Sequence, residues 1–455
     1  MTSQHTDDLA IAQQFLTDNP DIETIEVMVT DLNGSFRGKW LTRDNLEKVF
    51  KGDVKLALTT VSPDVWGRDV GSLCDKTGDG DGVCLPIVST LKRLPWLERP
   101  TAQMFMQLTG DDGQPWGYDP RVVLQNVYKR YQALGLRPVT APELEFHLFL
   151  EKRDDMGVPQ LPDTRINGKS HMAGQLYGID VMQEQSALMH DIRDAAKEMD
   201  LPLDGLLKEL APAQYELNLN HIDNPLHAAD NAQMLKRVIK GVAQKHGYIA
   251  TFMAKPFGDM DGNGMHIHCS VLDNDGNNIF DDGTEAGTDT LRHAIAGLAQ
   301  TMSDTMLIFA PHFNSYRRFK VGSHIPKAPT WGYENRDVAM RVPSGSPKAR
   351  RIEYRVGGAD LNPYLAQAAL LSGILYGIEN KLEADAPLND SVNKPEASLP
   401  RSWRDALELF EASAYVKEHL GAPFQEAFSA VKHAEQEEFE GRVSAFEYDT
   451  YLVGA

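Results

Sequence analysis

Four short segments alternate charged or imidazole side chains with apolar ones, and this pattern constrains the fold more than any other feature. The segments are residues 142–149 (PELEFHLF), 214–221 (QYELNLNH), 265–270 (MHIHCS) and 351–356 (RIEYRV). In a strand, residues i and i+2 point to the same face, so Glu143 and Glu145 share one face, as do His266 and His268. Side by side, four such strands form a sheet with one face of metal ligands and anion-binding groups. We expect that face to be the active site.

The overall composition is that of a globular protein and narrows the range of partners. At 455 residues, two domains are the default. The longest apolar runs are too short for a membrane span, and the polar, acidic first residues do not resemble a signal peptide. Three cysteines without a disulfide or zinc-finger spacing favour a reducing cytoplasm. The net charge of −20 argues against nucleic acid and anionic membranes as partners, and would attract small cations.

Positive charge is concentrated in one part of this acidic chain. Residues 314 to 355 contain ten lysines and arginines against three acids, a local balance of +7. Glycines, prolines and aromatic residues interrupt this tract, which favours ordered loops over a solvated helix. We therefore expect the tract to hold an anion.

The sequence divides into two domains near residue 112, with residues 1–112 in the first and 113–455 in the second. In the first, residues 24–30 and 36–40 are predicted as strands joined by a tight turn at Asn33 and Gly34. A helix is predicted from Pro120, since proline suits a first helical turn. Further helices are predicted at residues 183–199, 228–246, 287–309, 362–381 and 401–419, and a terminal helix at 437–451.

The polar strand faces indicate a site for several hard cations. Carboxylates with one or two imidazoles suit Mg²⁺ or Mn²⁺ better than a thiolate-seeking metal. The predicted ligands exceed the needs of one ion, so we expect two or three metals beside the arginines, as in phosphoryl transfer from a nucleotide. They are Glu143, Glu145, Glu209, Glu216, His266 and Glu353.

Several segments, in order along nearly the whole chain, resemble the glutamine synthetase family. PELEF resembles the paired-glutamate strand of that family, and KELAPAQYE resembles its Glu-Val-Ala-Pro-Gly-Gln-His-Glu stretch. DGNGMHIHCS matches its Gly-Met-His-x-His-x-Ser motif, and NSYRRFKVGSH, NRDVAMRVP, KARRIEYRV and LNPYLA match the later blocks. The resemblance implies an α+β fold. A small amino-terminal β-grasp-like domain would precede a large catalytic domain built on a curved antiparallel sheet, a half-barrel flanked by helices.

The resemblance also implies a reaction and specific roles. ATP would phosphorylate the γ-carboxylate of glutamate, and an amine would then displace phosphate to give a γ-glutamyl amide. One metal would be held by Glu145, Glu209 and Glu216, and the other by Glu143, His266 and Glu353. Glutamate would be bound by Glu145, Gly262, Arg318, Arg355 and Asp261, the last at a position where the family commonly has asparagine. Arg336 and Arg355 would stabilise the charge of the transferred phosphoryl group. ATP would be contacted by His268, Ser270, Arg341 and Lys348, although Ser270 and Lys348 could equally be structural.

Two loop positions depart from the ammonium-using members of the family. There, a loop glutamate follows the Tyr-Lys/Arg-Arg segment by six residues, and that position here is His324. A second acid comes from an amino-terminal Asp-Gly-Ser-Ser segment, and the comparable stretch DVWGRD has Trp66 at that place, with Asp64 or Asp69 as possible substitutes. Desolvated ammonium needs several close anionic acceptors. An indole suits the methylenes and cation of an alkylamine, and a histidine can accept the amine proton.

We therefore hypothesise a ligase resembling the γ-glutamylputrescine synthetases, which joins glutamate to a polyamine such as putrescine or spermidine in amine catabolism. The alternatives are an ammonium-dependent glutamine synthetase and a ligase for ethanolamine, an alkylamine or an aromatic amine. A non-catalytic structural relative is disfavoured because all six predicted metal positions are retained. The resemblance further implies a dodecamer of two hexameric rings, in which the amino-terminal domain of a neighbour completes each active site.

Overall fold

The computed structural model of the chain describes residues 3–163, 175–319, 325–388 and 396–455. Its strands are β1 Thr24–Thr30, β2 Phe36–Thr42, β3 Lys55–Ala57, β4 Asp81–Arg93, β5 Thr101–Thr109, β6 Arg137–Leu150, β7 Leu203–Lys208, β8 Gln214–Leu219, β9 Tyr248–Thr251, β10 Met265–Leu272, β11 Trp331–Tyr333, β12 Met340–Val342 and β13 Ile352–Tyr354. Its helices are α1 Ser3–Asp18, α2 Glu47–Phe50, α3 Gly71–Thr77, α4 Pro120–Ala133, α5 Ile179–Glu184, α6 Ser186–Glu198, α7 Pro225–Lys245, α8 Asp289–Phe309, α9 Pro363–Asn380, α10 Trp403–Ala412, α11 Ala414–Val416, α12 Ala422–Gly441 and α13 Ala445–Tyr451.

The first sheet is built from the amino-terminal strands, in the order β2-β1-β5-β4-β3. The β1–β2 hairpin turns at the predicted Asn33-Gly34 pair, where Gly34 has φ +77°. The carboxylate of Asp31 accepts hydrogen bonds from the backbone N–H groups of Asn33 and Ser35 at 3.0 and 2.8 Å, which closes the turn. The predicted hairpin is confirmed. The domain boundary near residue 112 falls between the two sheets and stays a prediction.

The second sheet carries the four polar-faced segments, and they are neighbours as predicted. Its order is β11-β12-β13-β10-β6-β8-β7, with β9 paired to β6, and it is curved and flanked by helices. One pair departs from the predicted antiparallel arrangement, because β11 and β12 run parallel. Segments 351–356, 265–270, 142–149 and 214–221 supply the adjacent strands β13, β10, β6 and β8. The predicted polar sheet face therefore exists.

The helices cover the outside of the second sheet, and two predictions about them are wrong in detail. The segment predicted as one helix at 401–419 is interrupted at Ser413, whose side chain caps the short α11. The terminal helix predicted at 437–451 is broken after Gly441, and most of α12 precedes the predicted range. Among the described residues, no helix combines the length and apolarity that a membrane crossing requires.

Candidate active site

Strand register brings the predicted metal ligands together in facing pairs. Glu143 on β6 lies opposite His266 on β10, and Glu145 lies opposite Glu216 on β8. On the other side of β10, His268 lies opposite Glu353 of β13. Directly opposite residues in antiparallel strands have Cβ atoms about 5 Å apart, so the two side chains of each pair can reach the same metal ion. Alternation places these side chains on one face of each strand, and strand register then brings them together in one cluster.

One group of possible metal ligands consists of Glu145, Glu209 and Glu216, whose carboxylate oxygens lie within 4.8 Å of one another. The orientation of Glu145 is fixed, because the backbone N–H of Gly264 donates to Oε2 at 2.7 Å. The side-chain amide of Gln214 also donates to this oxygen, at 3.2 Å. This group matches the ligand set predicted for the first metal.

The second group is centred on Glu143 and contains both histidines of β10. His266 Nδ1 lies 3.3 Å from Glu143 Oε2 and 3.9 Å from Glu353 Oε1. His268 Nε2 lies 2.7 Å from Glu143 Oε1, and Glu143, His268 and Glu353 together could hold an ion. The structure therefore divides the ligands predicted for the second metal between two overlapping groups. One is Glu143, His268 and Glu353, which includes a histidine for which sequence predicted an ATP contact, and the other is Glu143, Glu216 and His266.

The buried carboxylates of the cluster repel one another, and a nearby positive charge would offset this repulsion. Burial, followed by the charges of Glu143, Glu145 and Glu209, raises the pKa of Glu216 to about 9. Burial and the charge of Glu145 raise the pKa of Glu209 to about 7. For Glu143, burial alone would raise the pKa, but the hydrogen bonds to His266 and His268 outweigh burial and hold this pKa well below its ordinary value.

This donor set fits divalent cations. Closely spaced carboxylate oxygens with imidazole nitrogens match the preferences of Mg²⁺ and Mn²⁺. Like-charged buried carboxylates are costly unless a cation compensates them. Gly264 borders the cluster closely: a Cβ there would lie 3.3 Å from both Glu145 Oε1 and His266 Nε2, so a side chain would intrude among the ligands.

Arginines surround Glu353 on the side of the cluster away from Glu145. Arg341 Nη1 donates to Glu353 Oε2 at 2.9 Å, and the Arg355 guanidinium is hydrogen-bonded to Oε1 of the same carboxylate. The Nε atoms of both arginines are buried without a hydrogen-bond partner among the described residues. Arg336 is more exposed and lines the same cavity. Such donors are suited to a phosphate or carboxylate.

Arg351 has a contact that sequence analysis did not assign. Its Nε donates to His268 Nδ1 at 3.0 Å, so His268 can present a proton on Nε2 to Glu143. Arg351 lies two residues before Glu353, and this spacing predicts that both side chains lie on the polar face of the sheet. Arg351 therefore orients the Glu143 carboxylate through His268.

Arg318 is almost fully buried, and its position depends on neighbouring glycines. Its Nη1 donates to the carbonyl of Val356 at 3.0 Å, and burial lowers its pKa although the charges of Glu145 and Asp360 oppose the shift. A Cβ at Gly262 would lie 3.1 Å from Arg318 Cγ and 2.3 Å from the carbonyl oxygen of Ala254. Only glycine fits there.

A cavity of about 680 Å³ joins these groups. The predicted residues that line it are Glu143, Glu145, Glu209, Glu216, Asp261, Gly262, His266, His268, Arg318, Arg336, Arg341, Glu353 and Arg355. Sequence analysis missed other lining residues, among them Lys255, Gln214, Leu176 and Tyr177. Tyr177 has φ +58°, a strained conformation for a residue with a side chain, and its contact with the cavity has no signal in the local sequence pattern. A second cavity of about 680 Å³ runs along α12 and contains none of the predicted residues.

Three predicted residues lie outside this lining, and one lies outside the described residues. Ser270 is further along β10, opposite Val139, and Lys348 sits in an exposed turn formed by Pro347–Ala349. Trp66 does not line the cavity of its own chain, and its ring packs beside Phe439 of α12. His324 falls in the range 320–324, which the structure does not describe.

The Trp66 loop is closed by Asp64, one of the two acids that sequence offered as a substitute at this place. Oδ1 of Asp64 accepts hydrogen bonds from the backbone N–H groups of Trp66 and Arg68, both at 2.9 Å. Its Oδ2 accepts from Arg68 Nε at 2.7 Å. Asp64 is buried, and both of its carboxylate oxygens accept hydrogen bonds from its own loop.

Comparison with known proteins agrees with this geometry. The family model described as glutamine synthetase, catalytic domain, matches residues 117–451. The chain belongs to the glutamine synthetase family. It is therefore an enzyme of a ligase family that forms C–N bonds, and the family assignment drawn from the sequence motifs is confirmed.

Relatives of this glutamine synthetase family member cover almost its whole length. Gamma-glutamylputrescine synthetase PuuA of Escherichia coli (strain K12) is 35% identical over 446 residues, covering 97% of this chain and 94% of that protein. Glutamate–isopropylamine ligase of Pseudomonas sp is 30% identical and covers 95% of each chain. The solved GmaS/ADP complex, in its conformation 1, superposes with a TM-score of 0.83 at 26% identity, covering 97% of this chain and 99% of that one. The predicted fold is confirmed.

Proposed function

We propose that the protein is an ATP-dependent glutamate–amine ligase whose physiological acceptor is a primary polyamine such as putrescine or spermidine. The observation that carries the proposal is one cavity in which three overlapping groups of possible metal ligands adjoin Arg318, Arg341 and Arg355. The names of two relatives, a γ-glutamylputrescine synthetase and a glutamate–isopropylamine ligase, support an organic amine as acceptor.

In the first step, the γ-carboxylate of glutamate would attack the γ-phosphorus of ATP, giving γ-glutamyl phosphate and ADP. Arg318, Gly262 and Asp261 are proposed to hold glutamate. Arg336 and Arg355 are proposed to stabilise the charge on the transferred phosphoryl group. The ATP contacts are proposed to be His268, Ser270, Arg341 and Lys348, with Ser270 and Lys348 supported only by the motif resemblance. Divalent cations bound by these acidic groups would neutralise phosphate charge.

In the second step, the amine nitrogen would attack the acyl phosphate, form the amide bond and release inorganic phosphate. The attacking nitrogen must lose a proton, and His324 is the proposed acceptor. Leu176, Leu207 and Leu210 line the cavity and offer apolar surface to the methylenes of an alkylamine. Trp66 is the proposed further contact, on the resemblance of its segment to the ammonium-site segment of the family.

The proposed assembly is a dodecamer of two hexameric rings. The exposure of Trp66 supports it, because the indole is 41% exposed and does not line the cavity of its own chain, so it is free to contact an adjacent subunit. The location of the enzyme in a reducing cytoplasm stays a prediction.

The test is an assay of ATP- and glutamate-dependent phosphate release with a panel of amines. The panel contains ammonium, putrescine, spermidine, ethanolamine and isopropylamine. We expect putrescine or spermidine to give the highest kcat/KM. If ammonium gives the highest value, the protein is a glutamine synthetase and the proposal is wrong. A maximum with isopropylamine or ethanolamine would retain the ligase but reject the polyamine.

A further inference from the structure

The end of α12 contacts the Trp66 loop through both rings and charges. The rings of Trp66 and Phe439 have centroids 5.5 Å apart. The guanidinium of Arg68 lies over the indole, 4.6 Å from its centroid, and Arg68 Nη1 donates to Glu438 Oε2 at 3.2 Å. Arg442 Nε donates to the other oxygen of Glu438 at 2.7 Å, and its guanidinium is 5.9 Å from the indole centroid. The indole is therefore held from the side by one turn of α12.

The same ring of Phe439 also contacts the segment that carries Arg318. Phe439 stacks on Phe313 with centroids 5.7 Å apart, and Phe313 begins the short helical turn Phe313–Phe319. Arg318 lies in that turn and is nearly fully buried at the cavity. The Phe439 ring thus contacts both Trp66 and Phe313, the first residue of the turn that carries Arg318.

One and two turns before Phe439 on α12, buried polar groups also contact the amino-terminal part of the chain. Lys432 Nζ donates to Asn33 Oδ1 at 2.5 Å, and Asn33 Nδ2 donates to Glu435 Oε1 at 2.8 Å and to the carbonyl of Pro63 at 3.3 Å. Pro63 immediately precedes Asp64 and so anchors the start of the Trp66 loop. Lys432, Glu435 and Phe439 are spaced three and four residues apart, so they share one helix face. This face is buried where it meets the loop, since the Lys432 and Glu435 side chains form an ion pair and have no exposed surface.

We propose that Phe439 is a positioning residue for amine selection, which acts by fixing the orientation of the Trp66 indole. The inference rests on the proposed function, in which Trp66 contacts the amine. The indole face near Arg68 already carries a cation, so the surface left for the amine is the exposed part of the ring. Phe439, with Glu438 holding Arg68, determines which part that is.

A purely structural role for Phe439 predicts a different result. In that case its ring, which also meets Trp403 at 5.9 Å, would only stabilise the carboxyl-terminal helices. Its replacement would lower the melting temperature and leave the amine KM unchanged. The positioning role instead affects the amine KM separately from kcat and from the KM for glutamate.

The experiment measures kcat and KM for putrescine, glutamate and ATP in the full-length enzyme and its variants. For Phe439→Leu we expect a rise of about 2- to 10-fold in the putrescine KM, the range that the loss of one aromatic pair produces. The KM for glutamate and kcat should stay within about twofold of the wild type. Glu438→Gln, which keeps the side-chain volume, should raise the putrescine KM in the same direction. Phe446→Leu on the exposed α13 is the matched control.

A double-mutant cycle with Trp66→Ala separates the possible failures. If Phe439 acts through the indole, adding Phe439→Leu to Trp66→Ala changes the putrescine KM no further. Additive effects, or an unchanged KM in Phe439→Leu alone, overturn the inference while leaving Trp66 as an amine contact. An unchanged KM in Trp66→Ala overturns both the inference and the proposed amine site.

Discussion

The substitution Glu216→Gln tests whether the acidic cluster depends on a bound cation. Gln keeps the size of the side chain and removes the negative charge that the neighbouring carboxylates repel. Burial and the neighbouring acids raise the pKa of Glu216 from 4.5 to about 9. A carboxyl group with a raised pKa favours folding in its protonated form. Its contribution is therefore complete below about pH 4.5, and is lost as the pH rises toward about 9.

The magnitude follows from the same linkage. While Glu216 stays protonated in the native state, each pH unit above its ordinary pKa lowers the free energy of unfolding by about 1.4 kcal/mol. About pH 7.5 is three units above the ordinary pKa, so the free energy of unfolding of the metal-free wild type is lowered by up to about 4 kcal/mol. We expect metal-free Glu216→Gln to be more stable than the wild type by up to that amount, and the difference to vanish near pH 4.5.

The assay is thermal unfolding of metal-free wild type and Glu216→Gln across this pH range, with and without Mg²⁺. Mg²⁺ should stabilise the wild type more than the variant, because the variant has lost one ligand. Glu151→Gln, at an exposed position just after β6, is the matched control and should behave as the wild type does. Identical pH dependence in the wild type and Glu216→Gln would refute the reasoning about like charges in the cluster.

Three further substitutions address the rest of the site. Arg318→Lys loses the planar guanidinium and should raise the glutamate KM by at least about tenfold with the amine KM unchanged, and equal rises in both would argue against a glutamate-specific role. Gly264→Ala places a Cβ 3.2 Å from Arg318 Nη2, and 3.3 Å from both Glu145 Oε1 and His266 Nε2, so calorimetry should show weakened Mg²⁺ binding with unchanged circular dichroism. Unweakened binding would mean that the neighbouring side chains can move aside. His324→Ala should lower kcat/KM for putrescine and alter its pH profile, and an unchanged profile would exclude His324 as the proton acceptor.

Much of the site was predictable because it depends on strand periodicity. The spacing of two between Glu143 and Glu145, and between His266 and His268, requires a shared face once the segments are strands. Which residues lie opposite one another is not contained in any single segment. The pairing of Glu145 with Glu216 follows from register between strands that are distant in sequence. The shared face was therefore predictable from residue spacing, whereas the grouping of ligands could be predicted only from the family resemblance.

The errors have physical causes that can be named. The break between α12 and α13 coincides with Ser444 and Glu447, which form a capping box, and Pro423 marks the start of α12. These signals are local and could have corrected the predicted helix at 437–451. The contact between Trp66 and Phe439 joins residues at opposite ends of the chain, and no local pattern encodes it.

The closed loop around Asp64 has a practical consequence for engineering. Its shape is set by the Asp64 carboxylate, by backbone hydrogen bonds and by Gly67, which has φ +83°, and not by the side chain at position 66. Any residue except proline, which lacks the N–H that donates to Asp64, can therefore replace Trp66 without remodelling the backbone or changing the second sheet. Because Trp66 is the proposed amine contact, a small library at this single position, screened against a series of amines, is the first to make in a search for new acceptor preferences.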